Sequence, residues 1–229
     1  LANNEIGVIQ PIEKIFKICQ KNDIKLHTDA AQCLGYIPIK NFDSLANMIT
    51  LSSHKIYGPK GIGLLIVDED IKLHPLLFGG GQEFGYRSGT NPLPLIVGFS
   101  KAIELAINNQ ARNSIQLTNF RDSLMNGLLK KNSKILINGS IINRLPHNLN
   151  LTVLDINGSK FHKDIKHKIE CSSGSACSNG KVSHVLQSIG RSFKEAESSV
   201  RLSIGLTTTA QEIEKSIYEI TETINKLRK

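Results

Sequence analysis

The chain has 229 residues, of which 40% are hydrophobic and 21% charged, and a formal net charge of +8. That length suits one large domain or two smaller ones, and the composition is that of a globular protein. No apolar run approaches the length of a membrane span, so a membrane partner is not expected. With Asn3, Asn4 and Glu5 near its start, no secretory signal is expected either. Because the chain opens on Leu1 rather than Met, a preceding amino-terminal portion is expected. The lysines are scattered, the Lys130-Lys131 pair is short and tryptophan is absent. The basic excess therefore reads as general surface charge rather than a nucleic-acid site. An anionic cofactor or substrate would account for part of it.

In chain order, Pro11 suits the first turn of a helix, and Ile12, Ile15, Phe16, Ile18 and Cys19 follow at helical spacing. Residues 24–28 read as a short strand ending in Asp29-Ala30-Ala31-Gln32. Residues 43–47 are expected to hold a helical turn ahead of a strand at 48–51. Ser52-Ser53-His54-Lys55 follows, then a Gly/Pro turn and a second apolar run at 62–67. This alternation argues for an α/β layer with a mainly parallel sheet. In such sheets functional groups gather beyond the carboxyl ends of strands, where Asp29 and Lys55 both fall. Gly79-Gly80-Gly81 opens an irregular stretch running to Pro94. A helix then lines up Ile96, Phe99, Ile103, Ala106 and Ile107, and a second is expected over 115–129. Strands at 135–137, 150–154 and 200–204 follow. The last helix starts on a Thr209/Glu212 capping box and carries Ile213, Ile217, Ile220, Ile224 and Leu227. The expected division is 1–110 as part of a large cofactor-binding domain and 111–229 as a smaller carboxyl-terminal domain with a cysteine loop.

Lys55, held rigidly at a strand mouth, partly desolvated and near other cations, has the setting of a carbonyl nucleophile. Asp29 is a carboxylate at a strand end, which serves either as a turn residue or as the partner that keeps a pyridine nitrogen protonated. In the second role it would help make the ring of pyridoxal phosphate an electron sink. Gln32 reads either as a surface amide or as a donor to the ring hydroxyl. Ser52, His54 and Arg87-Ser88-Gly89-Thr90 supply hydroxyls and cations of the kind that hold phosphate. Arg201 alternates with Val200 and Leu202, so its guanidinium either grips a carboxylate or makes a surface ion pair. Four cysteines, Cys19, Cys33, Cys171 and Cys177, lack C-x-x-C spacing, so no metal site is expected. Reduced thiols in a cytoplasmic protein are the expectation. Cys171 ends an apolar, strand-like run and reads as packed. Cys177 falls in the small, polar string Ser172-Ser173-Gly174-Ser175-Ala176-Cys177, where a thiol could carry sulfur.

Taken together, the chain resembles the cysteine desulfurases, pyridoxal-phosphate enzymes of fold type I in the class V aminotransferase group. The strings that carry the resemblance are Asn3-Asn4-Glu5-Ile6-Gly7, His27-Thr28-Asp29-Ala30-Ala31-Gln32, Ser52-Ser53-His54-Lys55-Ile56-Tyr57-Gly58-Pro59-Lys60-Gly61, Arg87-Ser88-Gly89-Thr90 and the one ending in Cys177. The resemblance implies pyridoxal 5'-phosphate joined to Lys55, with Asp29 at the ring nitrogen and Asn4 and Gln32 at the ring or its hydroxyl. It further implies phosphate contacts from Ser52 and His54, and from Thr90 to the phosphate of a neighbouring subunit in a homodimer. Arg201 would hold the carboxylate of L-cysteine. Cys177 would take its sulfur as a persulfide and leave L-alanine, feeding an iron-sulfur scaffold or another sulfur-acceptor protein. Family members carry a glycine/threonine phosphate loop and a ring-stacking histidine in an amino-terminal half that this sequence does not include. A selenocysteine lyase, an aminotransferase and a non-catalytic scaffold share the fold and remain open. A cysteine hydrolase using Cys177 and His184 has no apparent third orienting group.

Overall fold

The computed structural model describes residues 1–39, 42–173 and 182–229. They form two compact units, one of Leu1 and Pro11–Ala111, the other of Ala2–Gln10 and Arg112–Lys229. Residues 2–10 thus fold with the second unit, through a backbone bridge from Val8 to Arg144, and close on themselves through one from Ala2 to Ile9.

The first unit contains α1 (Ile12–Lys21), β1 (His27–Asp29), β2 (Met48–Ser52), β3 (Gly63–Val67) and α2 (Leu93–Asn108). Its sheet has the order β1-β2-β3, with β1 parallel and β3 antiparallel to β2. The first strand is shorter than its apolar run suggests, because side chains and the helix end take its hydrogen bonds. The Leu26 N–H donates to Asn47 Oδ1 at 2.9 Å, and the Ile24 N–H returns to the Cys19 carbonyl at 2.9 Å. In α1, Ile12 and Phe16 are buried while Ile15 and Ile18 are exposed, so the apolar stripe is wider than the face this unit covers. The helix expected after Pro94 begins at Leu93, with Pro92 capping it. Pro94 sits in the first turn, where its missing N–H leaves no bond unmade.

The second unit is built on the antiparallel sheet β4-β5-β7-β6, with β4 Ile135–Ile137, β5 Asn148–Val153, β6 Ser172–Ser173 and β7 Ser199–Ser203. Its helices are α3 (Gln110–Lys131, all but its first two residues), α4 (Gly158–Ile165), α5 (His184–Ser188), α6 (Phe193–Glu197) and α7 (Ala210–Arg228). The Thr209/Glu212 capping box is made at α7. A second one, Ser192/Glu195, starts α6 and is equally legible in the sequence. The run toward Cys171 is not a strand, since α4 ends at Ile165 and Lys168 and Ile169 turn back onto its last carbonyl.

Strand β5 is buried along its whole length. One face is Leu149, Leu151 and Val153; the other is Asn148, Asn150 and Thr152. Buried polar groups need partners, and these find them. Asn138 Nδ2 donates to Asn150 Oδ1 at 2.8 Å and to Thr152 Oγ1 at 2.9 Å, while Arg191 Nε donates to Asn138 Oδ1 at 2.6 Å. Arg144, also buried, donates through Nε to the Ser140 carbonyl at 2.8 Å, through Nη1 to the Asn148 carbonyl at 3.4 Å, and through Nη2 to the Asn138 carbonyl. Burial, and then the Arg121 charge, lower its pKa to about 10. Arg144→Met relieves that desolvation but orphans the carbonyls. With hydrogen bonds to charged groups worth ~1.5–3 kcal/mol each, the loss wins, and a net destabilisation of about 3 kcal/mol is expected from denaturant midpoints.

Candidate active site

The first unit brings several of the expected residues to one sheet edge. Strands β1 and β2 are parallel, with Asp29 opposite Thr50, so Asp29 and Ser52 both lie at carboxyl ends on the same side. Directly after β2 the chain enters a 3-10 turn, Ser53–Ile56, closed by Tyr57 in the left-handed conformation at φ 64. That turn carries His54 and Lys55. The Ser52 hydroxyl and His54 Nδ1 are in hydrogen-bond contact at 3.0 Å. The sequence suggests a partly desolvated Lys55; its side chain is instead exposed, because so tight a turn at the sheet edge leaves little to cover it. The turn itself is well anchored. Ser53 is buried, Gly58 N–H returns to the Ser53 carbonyl at 3.0 Å, and a Cβ on Gly58 would collide with Ser53 Oγ.

Asp29 is exposed, and its Oδ1 accepts the Ala31 N–H at 2.8 Å. One oxygen therefore serves the turn, the plainer of the roles its position suggests. Gln32 is half-buried three residues on in that turn. Cys33, next to it, is fully buried, and burial pushes its thiol pKa up to about 12. It is a packed core residue rather than a nucleophile. Thr90 is exposed at the end of a loop closed by Ser88 N–H to the Leu77 carbonyl at 3.3 Å and Gly89 N–H to Gln82 Oε1 at 3.0 Å.

The second unit assembles another group. Arg201 lies on β7 between buried Val200 and Leu202, so the expected alternation is present. Its Nη1 donates to the Asn4 carbonyl at 3.1 Å, while its Nε is buried without a partner. Asn150 Nδ2 donates to the Glu5 carbonyl at 3.0 Å, and Asn148 Nδ2 to the Asn4 and Glu5 carbonyls at 3.3 Å. The Asn4 backbone is thus stapled to the sheet and its exposed side chain is left available. Described residues on either side of Cys177 are held in place. Ser172 pairs with Arg201 across β6 and β7, and buried Ser183 donates to Glu5 Oε2 at 2.8 Å. Cys177 itself lies outside the described residues. The anchors Asn148, Asn150, Glu5 and Ser183 were not read from the sequence, where isolated polar residues carry no periodic signal.

An exposed amine, a hydroxyl–imidazole pair and a carboxylate at one sheet edge form a donor set that fits a phosphorylated, aldehyde-bearing ring. A buried guanidinium nitrogen without a partner fits an α-carboxylate. Among the described residues no cluster of His, Cys, Asp and Glu is placed to hold a metal. No helix among them is long and apolar enough to cross a membrane.

Comparison with known proteins adds to this geometry. The protein named cysteine desulfurase IscS from Dictyoglomus turgidum is 40% identical over 99% of this chain, which covers 58% of that protein. The protein of the same name from Rickettsia prowazekii is 42% identical over the whole chain, covering 56% of it. The chain therefore spans little more than half the length of these relatives. Among solved structures, a NifS-like protein from Rickettsia africae superposes with a TM-score of 0.88 at 36% identity, over 98% of this chain and 60% of that one. The fold is thus that of the fold type I enzymes, whose class V members work with pyridoxal phosphate. The Aminotransferase class-V profile matches residues 1–215, and the chain belongs to that family.

Proposed function

We propose that this chain is the carboxyl-terminal part of a pyridoxal-phosphate-dependent L-cysteine desulfurase. The strongest support is 40% identity, along 99% of the chain, to a protein named cysteine desulfurase, in a chain whose lysine turn carries the matching donor set. In this reading the first unit is part of the large cofactor-binding domain and the second is the small domain with the cysteine loop. Lys55 would hold the coenzyme covalently, Asp29 its ring nitrogen, Asn4 and Gln32 its ring substituents, and Ser52 and His54 its phosphate. When bound, the coenzyme supplies an electron sink for charge developing on the substrate carbon. Arg201 orients the substrate carboxylate through its unpartnered Nε while Nη1 stays on the Asn4 carbonyl. The Lys55 amine moves protons at the substrate carbon. The Cys177 thiolate attacks the substrate sulfur, so an S–S bond forms as the C–S bond breaks. The carbon fragment takes up a proton and leaves as L-alanine.

Thr90 would reach the phosphate bound by a second copy in a homodimer. Close by in sequence, Leu76 and Phe84 are 92% and 98% exposed, which favours coverage by a partner. The sulfur would pass to an iron-sulfur scaffold or another acceptor protein, in the cytoplasm.

The test supplies pyridoxal phosphate and L-cysteine to the full-length protein and measures alanine. Turnover of selenocysteine alone, or transamination without alanine release, would replace the reading. Arg201→Ala is expected to lower kcat/KM for L-cysteine by about 100-fold, the ~3 kcal/mol typical of losing one partner of a buried charge pair. Arg201→Lys keeps the charge but loses the fork, and is expected to recover only part of it.

A further inference from the structure

Tyr36 takes no part in the proposed chemistry, yet it is buried and directed at the backbone of the lysine turn. Its hydroxyl donates to the Lys55 carbonyl at 3.1 Å. Tyr57, the residue that closes the turn, hydrogen-bonds to the same hydroxyl. Burial first, and then Tyr57, raise the Tyr36 pKa, so the phenol keeps its proton, and its capacity to donate, across the ordinary pH range. At its other end Tyr36 completes the turn that begins at Asp29. Ala31 N–H holds Asp29 Oδ1 at 2.8 Å, Cys33 N–H returns to the Ala30 carbonyl at 2.9 Å, and Tyr36 N–H to the Cys33 carbonyl at 3.0 Å. Gly35 has φ +78, and a Cβ there would stand 2.9 Å from Ala106 Cβ, so the turn is pressed against α2. Gln110 Nε2 donates to the Tyr36 carbonyl at 3.4 Å.

We propose that Tyr36 is a positioning residue that fixes the peptide plane from which the Lys55 side chain departs, tying the Asp29 turn to the lysine turn. The inference rests on the reading of Lys55 as the residue that holds the coenzyme. A short 3-10 turn has poor internal hydrogen-bond geometry. The direction of its carbonyls is therefore set by outside donors, and the orientation of the Lys55 carbonyl sets the backbone angle that aims the amine. A displacement of about 1 Å at a reacting group can cost ~100-fold in rate.

The experiment reacts the full-length protein with pyridoxal 5'-phosphate and borohydride, then maps the label on Lys55 and on Lys60 by peptide mass. Lys60 is exposed in the same segment and acts as the internal reference. Tyr36→Phe, which removes only the hydroxyl, is expected to lower the Lys55:Lys60 labelling ratio by about 10-fold. General loosening of the fold would change both lysines together and lower the melting temperature. An unchanged ratio in Tyr36→Phe, with Lys55 labelled in the unaltered protein, overturns the role of Tyr36 alone. Absence of Lys55 label in the unaltered protein overturns the reading of Lys55 itself. Should Tyr36→Phe fail to fold, Tyr57→Phe decides, because it leaves the Tyr36 hydroxyl on the Lys55 carbonyl. The labelling ratio is then expected to hold, and its collapse would assign the effect to Tyr57 and sink the proposal.

Discussion

Lys55→Ala in the full-length protein is expected to reduce alanine formation from L-cysteine by at least about 1000-fold. The magnitude follows from two tasks meeting in one amine. It is the attachment point for the coenzyme, and it is the group placed to carry a proton at the substrate carbon. Losing general acid-base help alone costs ~100- to 10,000-fold, and losing attachment adds to it. The structure gives the reason no neighbour substitutes. Lys55 leaves a short turn at the carboxyl end of β2, whereas Lys60 belongs to the following Gly/Pro segment ahead of β3. Borohydride-fixed label should vanish from the Lys55 peptide together with activity. Activity within 10-fold of normal would remove the central residue of the proposed mechanism.

Cys177→Ala is expected to abolish enzyme-bound persulfide while leaving coenzyme labelling of Lys55 intact. Cys33 and Cys171, two of the described thiols, are unsuited to take its place. Cys33 is fully buried with its pKa raised to about 12, and burial raises that of Cys171 as well. Both are held away from the thiolate form that attacks sulfur. Among the described residues ahead of Cys177, Ser172 is paired with Arg201. Among those after it, Ser183 caps α5 and bonds Glu5. Sulfur-35 from labelled cysteine, followed onto the protein by non-reducing gel, is the direct readout. Persulfide still accumulating on the variant at the normal rate would assign the sulfur to another residue.

How much of this was legible depends on the range of the interactions involved. The Thr209/Glu212 box and the spacing from Ile213 to Leu227 predict α7, because a cap and a helix face are set within a few residues of one another. The place of Lys55 just beyond β2 was equally visible, since an apolar run ends before Ser52 and Gly58-Pro59 mark a turn ahead of β3, but the 3-10 turn that carries Lys55 was not. The length of β1 was not, because its Leu26 N–H is taken by Asn47, a residue far along the chain. Isolated asparagines gave no warning of the buried network around Asn138 and Asn150. In sequence they look like any surface amides, and only pairing of β4, β5 and β7 brings their side chains together.

By itself the sequence determined where the chemistry-bearing groups fall relative to strand ends, since local pattern and turn chemistry act over a few residues. It also carried the ordered strings that mark the family. Only the tertiary structure decided that residues 2–10 belong with the second unit, that Arg201 holds the Asn4 carbonyl, and that a buried phenol at Tyr36 supports the Lys55 backbone. Those contacts join residues up to about two hundred positions apart, and a single polar side chain does not encode which distant partner it will meet; packing of the whole chain selects it.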